Sequence, residues 1–276
     1  MNEAPSSGPV IDRDAAAALI EPLTDLVVRA GAAILAVNRQ AMRVDGKPDG
    51  TPVTEADVAA DQIIGEGLAR LFPDVPALSE ERVHLAKPSY RGSFFLVDPL
   101  DGTKEFVAGR AEFTVNLALV TNGTPLLGIV GAPALGLVWR GLVGRGADRL
   151  GTNGSVAEAI HTRALPKRGA PWIAAVSRSH RDIRTEAFIE ARPGAIRQVL
   201  GSAVKFGRVA EGAIDIYPRL GPTSEWDVAA GHALVTAAGG KVTDAQGNDV
   251  QFGRGHEGFI VPEFIAWGDA AAARGQ

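Results

Sequence analysis

The chain has 276 residues, 46% of them apolar and 22% charged, with 28 Lys and Arg against 32 Asp and Glu and no cysteine. That length fits one large or two moderate domains around a real hydrophobic core, and the composition is that of a folded globular chain. A slightly negative net charge with scattered basic residues excludes the electrostatic footprint of a nucleic-acid binder, and the missing cysteines exclude disulfides, thiolate metal sites and a cysteine nucleophile.

Met1 to Val10, rich in Pro, Ser and Gly, reads as a loose tail that extends to about residue 12. The same stretch has no basic region leading into an apolar core, and no run reaches the ~20 apolar residues of a membrane span. A soluble, unexported protein is therefore expected. From Asp14, apolar residues at Leu19, Leu23, Leu26, Val27, Ala30 and Ile34 recur at helical spacing. A polar loop, VDGKPDGTP, follows. Thr54 with Asp57 three residues on resembles a capping box, and Val58, Ile63, Ile64, Leu68 and Leu71 predict a second helix ending at Phe72-Pro73.

Four short runs then read as strands: Phe94 to Val97, Val115 to Val120, Leu126 to Val130 and Leu137 to Val138. With the two helices they predict a helix-on-sheet domain over residues 13–150. Beyond Gly151 a second alternation begins. A strand is expected at Trp172 to Val176, helices near Thr185 to Glu190 and Val204 to Glu211, a strand at Ala213 to Tyr217, and a helix from Val228 to Ala238 stopped by Gly239-Gly240. This predicts a smaller α/β domain over residues 151–276.

The chemistry gathers at LVDPLDGTKEF, Leu96 to Phe106. Phe94 to Val97 is apolar without interruption, as in a strand buried on both faces, so Asp98 falls at its end, where ligand sites of open sheets lie. Pro99 has no N–H and is expected to end the ladder there. Asp-Pro alone is more often a turn, Asp227 alone more often a helix cap, and Glu80 with Glu81 more often solvated charge. Together, Glu80, Asp98, Asp101 and Asp227 make a candidate all-oxygen set that suits Mg²⁺, Mn²⁺ or Ca²⁺ rather than zinc. Two such carboxylates about 4 Å apart repel by about 4 kcal/mol at an effective dielectric near 20, so a converged cluster requires a cation. The spacing Asp-x-x-Asp-Gly-Thr differs from the Asp-x-Asp-Gly-Thr of haloacid-dehalogenase phosphatases, whose first aspartate is a covalent nucleophile.

With GKPDGTPVTEAD, Ser79-Glu80-Glu81, DPLDGTKEF, EFTVNLALV, VSRSH, GSAVKFGRVAEG and YPRLGPTSEWDVAAGHAL in order from Gly46 to Leu234, the chain resembles the inositol monophosphatase superfamily of lithium-sensitive, Mg²⁺-dependent phosphatases. Within it the chain is similar to the CysQ-type 3'(2'),5'-bisphosphate nucleotidases. The resemblance implies a five-layer α/β/α/β/α sandwich and hydrolysis of the 3'-phosphate of adenosine 3',5'-bisphosphate to AMP in sulfur metabolism. The alternatives are an inositol or fructose-1,6-bisphosphate phosphatase, or a silent metal- or nucleotide-binding module. By the same resemblance, Glu80, Asp98, the Leu100 carbonyl, Asp101 and Asp227 are ligands for two or three Mg²⁺ ions, with Mn²⁺ a substitute. Asp49 and Thr103, with Glu80, handle the attacking water. Asp101, Gly102, Thr103, Lys104 and Asp227 reach the phosphate, and His180, Ser202, Lys205 and Arg219 line the nucleotide side. Lys104 is open between offsetting the carboxylates and touching substrate, and a lone Lys, Arg or His is more often surface or structural. The expected location is the cytoplasm, with peripheral contact with the inner membrane left open.

Overall fold

A computed structural model of the chain describes residues 6–46, 52–167, 169–179, 182–254 and 258–274. A seven-stranded sheet is built from β1 (Ala77–Ser79), β2 (Ser93–Asp101), β3 (Thr114–Thr121), β4 (Thr124–Ala132), β5 (Leu137–Leu142), β6 (Gly146–Gly151) and β7 (Glu158–Ile160). Their spatial order is β7-β6-β5-β4-β3-β2-β1. Only β1 and β2 run parallel; every other pair is antiparallel, which the short turns joining β3 to β4 and β5 to β6 require.

Side-chain alternation divides this sheet between two cores. Phe95 and Val97 point to one face, where α1 (Ile20–Ala36) and α2 (Glu55–Leu71) cover them with Leu23, Leu26, Ile34, Ile64 and Leu68. Phe94 and Leu96 point to the other, beneath α5 (Val204–Ala210) and α6 (Glu225–Ala237), which α3 (Thr103–Val107) and α4 (Ile183–Glu190) precede in the chain. On the far side of α5 and α6 lies a second sheet of β8 (Ile173–Ser177), β9 (Ile196–Leu200), β10 (Ile216–Arg219), β11 (Lys241–Thr243) and β12 (Phe264–Trp267), in the order β9-β8-β10-β12-β11. Rings of Phe206, Tyr217 and Phe264, with centroids 5.0–5.3 Å apart, join α5 to it. Its outer face packs Ile216, Ile265 and Trp267 against Ile189 of α4. The layers are thus α/β/α/β/α, as expected.

The middle helix α6 sets the spacing. It is buried on nearly every side, which suits a helix apolar all round. It lies directly on β4 and β5 because Gly128 and Gly141 carry no side chain: a Cβ on Gly128 would stand 2.1 Å from the Ala230 carbonyl oxygen, and one on Gly141 3.0 Å from the Leu234 Cα.

Several local expectations are corrected. The loose tail is tied down from residue 6: Ser6–Ser7 pair in parallel with Tyr90–Arg91, and the Ile11 N–H donates to Ser93 Oγ. Pro99 does not end β2; the strand continues through a bulge between Asp98 and Asp101, which absorbs the missing N–H, and Asp101 pairs again with Thr114. On α2, Val58 is 58% exposed and faces away from the core that Ile64 and Leu68 enter. The first helix breaks into Arg13–Ala17 and α1. The expected boundary at residue 150 falls inside β6, and β7 and α6, both from the later half, pack onto the large sheet.

His232 of α6 shows what that packing costs. It is buried against the Phe252 ring, its Nδ1 has no hydrogen-bond partner, and burial pulls its pKa from the ordinary 6.5 down to about 4. The unfolded chain binds this proton below pH 6.5 while the folded chain refuses it until about 4, so the contribution to stability is complete above pH 6.5 and is lost as pH falls between those values. At pH 4.5 the loss is on the order of 2 kcal/mol. Denaturant melts of wild type and His232→Leu between pH 7 and 4.5 will show the variant losing less stability; parallel curves would remove His232 from the acid response.

Candidate active site

The bulge in β2 places three successive functional groups at one end of the large sheet. Asp98 is 1% exposed, and its Oδ1 accepts the Leu100 N–H at 3.0 Å, which locks the turn. Asp101 follows at the strand's last position, where Asn116 Nδ2 of β3 approaches its Oδ2 at 3.4 Å. Gly102 then takes a left-handed conformation, φ +90°, to start α3. Parallel pairing of β1 with β2 brings Glu80, directly after β1, to the same end of the sheet.

Thr103 is held from α2. Its hydroxyl lies 3.0 Å from Asp57 Oδ1, with the Leu100 carbonyl a second acceptor at 3.2 Å. Asp57 Oδ2 accepts both the N–H and the hydroxyl of Thr54, each at 2.7 Å, so the capping box read from the sequence is present. One carboxylate thus caps a helix with one oxygen and orients Thr103 with the other. Burial raises the Asp57 pKa, against the hydrogen bonds from Thr54 and Thr103 that lower it. The sequence supplied a signal for Asp57, but only for its role as a cap; its contact with Thr103 spans 46 residues and needed the fold.

Asp227 enters from the opposite side as the third residue of α6. Its Oδ2 accepts the Ser224 N–H at 3.2 Å and the Thr223 hydroxyl, so it too is a cap and a member of the cluster at once. A cavity of about 420 Å³ separates the two sides. Glu80, Asp98, Leu100, Asp101, Gly102, Thr103 and Lys104 line one wall, and Ser202, Lys205, Arg219 and Asp227 the other. Eleven expected site residues therefore meet at one cavity, while Asp49 and His180 lie outside the described residues.

The cavity brings acidic and basic groups face to face. The Asp98 carboxyl is pushed well above the usual range, first by burial and then by Glu80, Asp101 and Asp227. Asp227 is raised to about 6, by burial and then Asp101. Across the cavity Lys205 is 3% exposed; its ammonium donates to the Ser202 carbonyl at 2.5 Å and lies 5.1 Å from the Tyr217 ring centroid. Burial draws its pKa down to about 8 although Asp101 favours its charge. Arg219 donates to the Pro222 carbonyl at 3.1 Å beside it.

Among the described residues, no three Asp, Glu or His side chains are spaced to hold a metal ion as they stand. Asp98 Oδ1 accepts the Leu100 N–H and Asp227 Oδ2 the Ser224 N–H. The donor chemistry nevertheless fits a hard divalent cation: four carboxylates, Glu80, Asp98 and Asp101 with Asp227 from the other side, line one cavity, and each of the other three disfavours charge on Asp98. An opposing positive charge would relieve all of these repulsions together.

The model of the inositol monophosphatase family matches residues 16–274. A 3'(2'),5'-bisphosphate nucleotidase CysQ of Escherichia coli is 39% identical over 256 residues, covering 89% of this chain and 98% of the relative. The crystal structure of CysQ from Bacteroides thetaiotaomicron superposes with a TM-score of 0.72 at 32% identity, covering 90% of this chain and 96% of that one. An inositol monophosphatase from Zymomonas mobilis gives 0.73 at 29% identity, covering 92% and 94%.

The turn between the walls depends on Gly102, where an added Cβ would combine a positive φ with a 3.2 Å approach to the Ser202 Cβ. Gly102→Ala is expected to destabilise the protein by about 1–2 kcal/mol, lowering Tm by about 2–6 °C. Thermal unfolding measures this, and an unchanged Tm would show that the turn accepts a side chain.

Proposed function

The chain belongs to the inositol monophosphatase family, and from that premise we propose that it is a nucleotidase whose substrate is adenosine 3',5'-bisphosphate, converted to AMP and phosphate. Nucleotidases of this name match nearly the whole chain at 35–40% identity. The single observation that carries the reading is the cationic wall facing the carboxylate turn. Lys205 and Arg219 border the same cavity as Asp98 and Thr103, so a substrate with a second phosphate has a partner there.

The family is metal-dependent, and Glu80, Asp98, the Leu100 carbonyl, Asp101 and Asp227 are the groups we assign to Mg²⁺, in two or three positions, with Mn²⁺ able to replace it. The ion supplies positive charge for the phosphoryl oxygens and acidity for the attacking water. The protein's own part begins at Thr103. Its hydroxyl lies nearer to Asp57 Oδ1, at 3.0 Å, than to the Leu100 carbonyl, at 3.2 Å, and donating to Asp57 leaves the hydroxyl's lone pairs to accept a proton from water. As the water oxygen bonds to phosphorus, its proton passes to Thr103 Oγ1 and the hydroxyl proton to Asp57. The bond from phosphorus to the 3' oxygen breaks with its electron pair going to that oxygen, which takes a proton from a solvent water to become the 3'-hydroxyl of AMP, and Asp57 returns its proton to solvent. A carboxyl whose pKa is raised by burial accepts that proton more readily than an exposed one. The reading therefore gives Asp57 the role that the sequence motif suggested for Asp49.

The Leu100 and Gly102 region orients the phosphate, Lys104 reaches the cavity from the exposed side of α3, and Ser202, Lys205 and Arg219 receive the nucleotide portion. Among the described residues, no helix is long and apolar enough to cross a membrane. We place the enzyme in the cytoplasm, in sulfur metabolism.

Phosphate release in the presence of Mg²⁺, with adenosine 3',5'-bisphosphate, inositol 1-phosphate and fructose 1,6-bisphosphate as substrates, tests the reading. The highest kcat/KM is expected for the bisphosphate nucleotide; equal or greater values for either polyol would overturn it. Asp57→Asn is expected to lower kcat by about 10²–10⁴-fold with KM little changed, because it removes a proton acceptor and leaves the binding groups in place. Full kcat in that variant would return the proton to another group.

A further inference from the structure

Lys205 does not hold its own position. Its ammonium is fixed by two main-chain carbonyls, Ser202 at 2.5 Å and Leu200 at 3.4 Å, so the cation's place in the cavity is set by the segment Leu200–Ser202. That segment is not relaxed: Ser202 adopts φ +50°, a left-handed conformation that a side-chain-bearing residue seldom takes. Something outside the segment must maintain it.

Two contacts from the large sheet do so. Thr114 Oγ1 of β3 lies 2.5 Å from Ser202 Oγ. Glu112, two residues earlier, accepts the Gly201 N–H on its Oε2 at 3.0 Å, and the same oxygen is paired with Arg178 Nη2 at 2.5 Å. Gly201 is there because there is no room for more: a Cβ would stand 2.6 Å from the Glu112 carbonyl oxygen and 3.0 Å from its Cβ. Glu112 itself is not part of the cavity wall, whereas Ser179, Gly201, Ser202 and Lys205 are. Glu105 makes a parallel contact, accepting the Ser179 hydroxyl at 2.9 Å.

We propose that Glu112 is a positioning residue for substrate selectivity: by holding Gly201 against β3 it fixes the Ser202 carbonyl, and through it the Lys205 ammonium, where a second phosphate is recognised. The inference rests on the nucleotidase reading and deepens it, since it concerns only the non-reacting end of the substrate. Charge acts in the same direction as geometry, because Glu112 and Glu105 both favour the protonated form of Lys205 against its burial. Arg178 keeps the Glu112 carboxylate aimed while the Gly201 N–H uses it, so one carboxylate links β3, β8 and the start of α5.

The test compares adenosine 3',5'-bisphosphate with 3'-AMP, which presents the same 3'-phosphate and base without the second phosphate, for wild type, Glu112→Ala, Glu112→Gln and Arg178→Ala. For Glu112→Ala, kcat/KM for the bisphosphate is expected to fall about tenfold more than for 3'-AMP, with the excess in KM. Glu112→Gln keeps an acceptor for Gly201 but not the ion pair, and Arg178→Ala removes only the aiming partner; both should lie between wild type and Glu112→Ala. Thermal melts run beside the kinetics separate misfolding from misplacement, since Arg178→Ala removes a partly exposed side chain. Equal losses on both substrates across the series, or no change in their ratio, would overturn the proposal while leaving the nucleotidase reading standing. A wild-type enzyme that does not prefer the bisphosphate over 3'-AMP would overturn both.

Discussion

Asp98 is buried just before the bulge of a nine-residue strand with three other carboxylates bearing on it, and neither burial nor their repulsion favours its charge. A chain can keep such groups together only if each is fixed by structure that does not depend on their mutual attraction. The layers provide this. β2 is held on both sides by the large sheet and buried on both faces, β1 pairs with it in parallel to bring Glu80, and α6 is clamped between two sheets to bring Asp227. The stability of the cores is what holds the carboxylates in place.

The same carboxylates also complete local structure. Asp57 closes a capping box, Asp227 caps α6, and Asp98 takes the Leu100 N–H, so each is anchored to its own turn by backbone donors. Cap and functional group are therefore not alternatives here. Anchoring by backbone leaves less rotamer freedom to be lost when a ligand is bound, which is the usual way a site is preorganised. The opposite wall follows a similar plan with reversed sign: Lys205 is placed by carbonyls, and those carbonyls are placed by contacts from the large sheet. The two walls are thus registered to one another through β3, whose start carries Thr114 and is preceded by Glu112.

Much of the fold could be read along the chain where the pattern was strong and local. The helix at residues 20–36, the capping box at Thr54, the unbroken apolar run before Asp98 and the strands at 114–132 all rest on contacts or periodicities within a few residues. Legibility failed where neighbours distant in sequence decided the outcome. β9, with Ile196, Arg197, Gln198 and Val199 all exposed, has no alternation to reveal an edge strand, and it forms because β8 offers it a partner. Val58 fits the helical pattern, yet α2 is rotated so that this position faces outward. Pro99 looked like a stop, but the sheet accommodates it as a bulge.

By itself, the sequence determined which groups the site has: an all-oxygen donor set without cysteine, a Gly-Thr turn after a buried strand, and a basic residue in each of the later motifs. It could do so because residue type and short spacing are local properties. Only the tertiary structure decided how they are paired. That Thr103 is held by Asp57, that Asp227 lines the same cavity as Asp98, and that Glu112 accepts the Gly201 N–H are relations over 46, more than a hundred and 89 residues. Such contacts are fixed by layer packing and by which glycines let a helix or loop come close, and no local pattern encodes them.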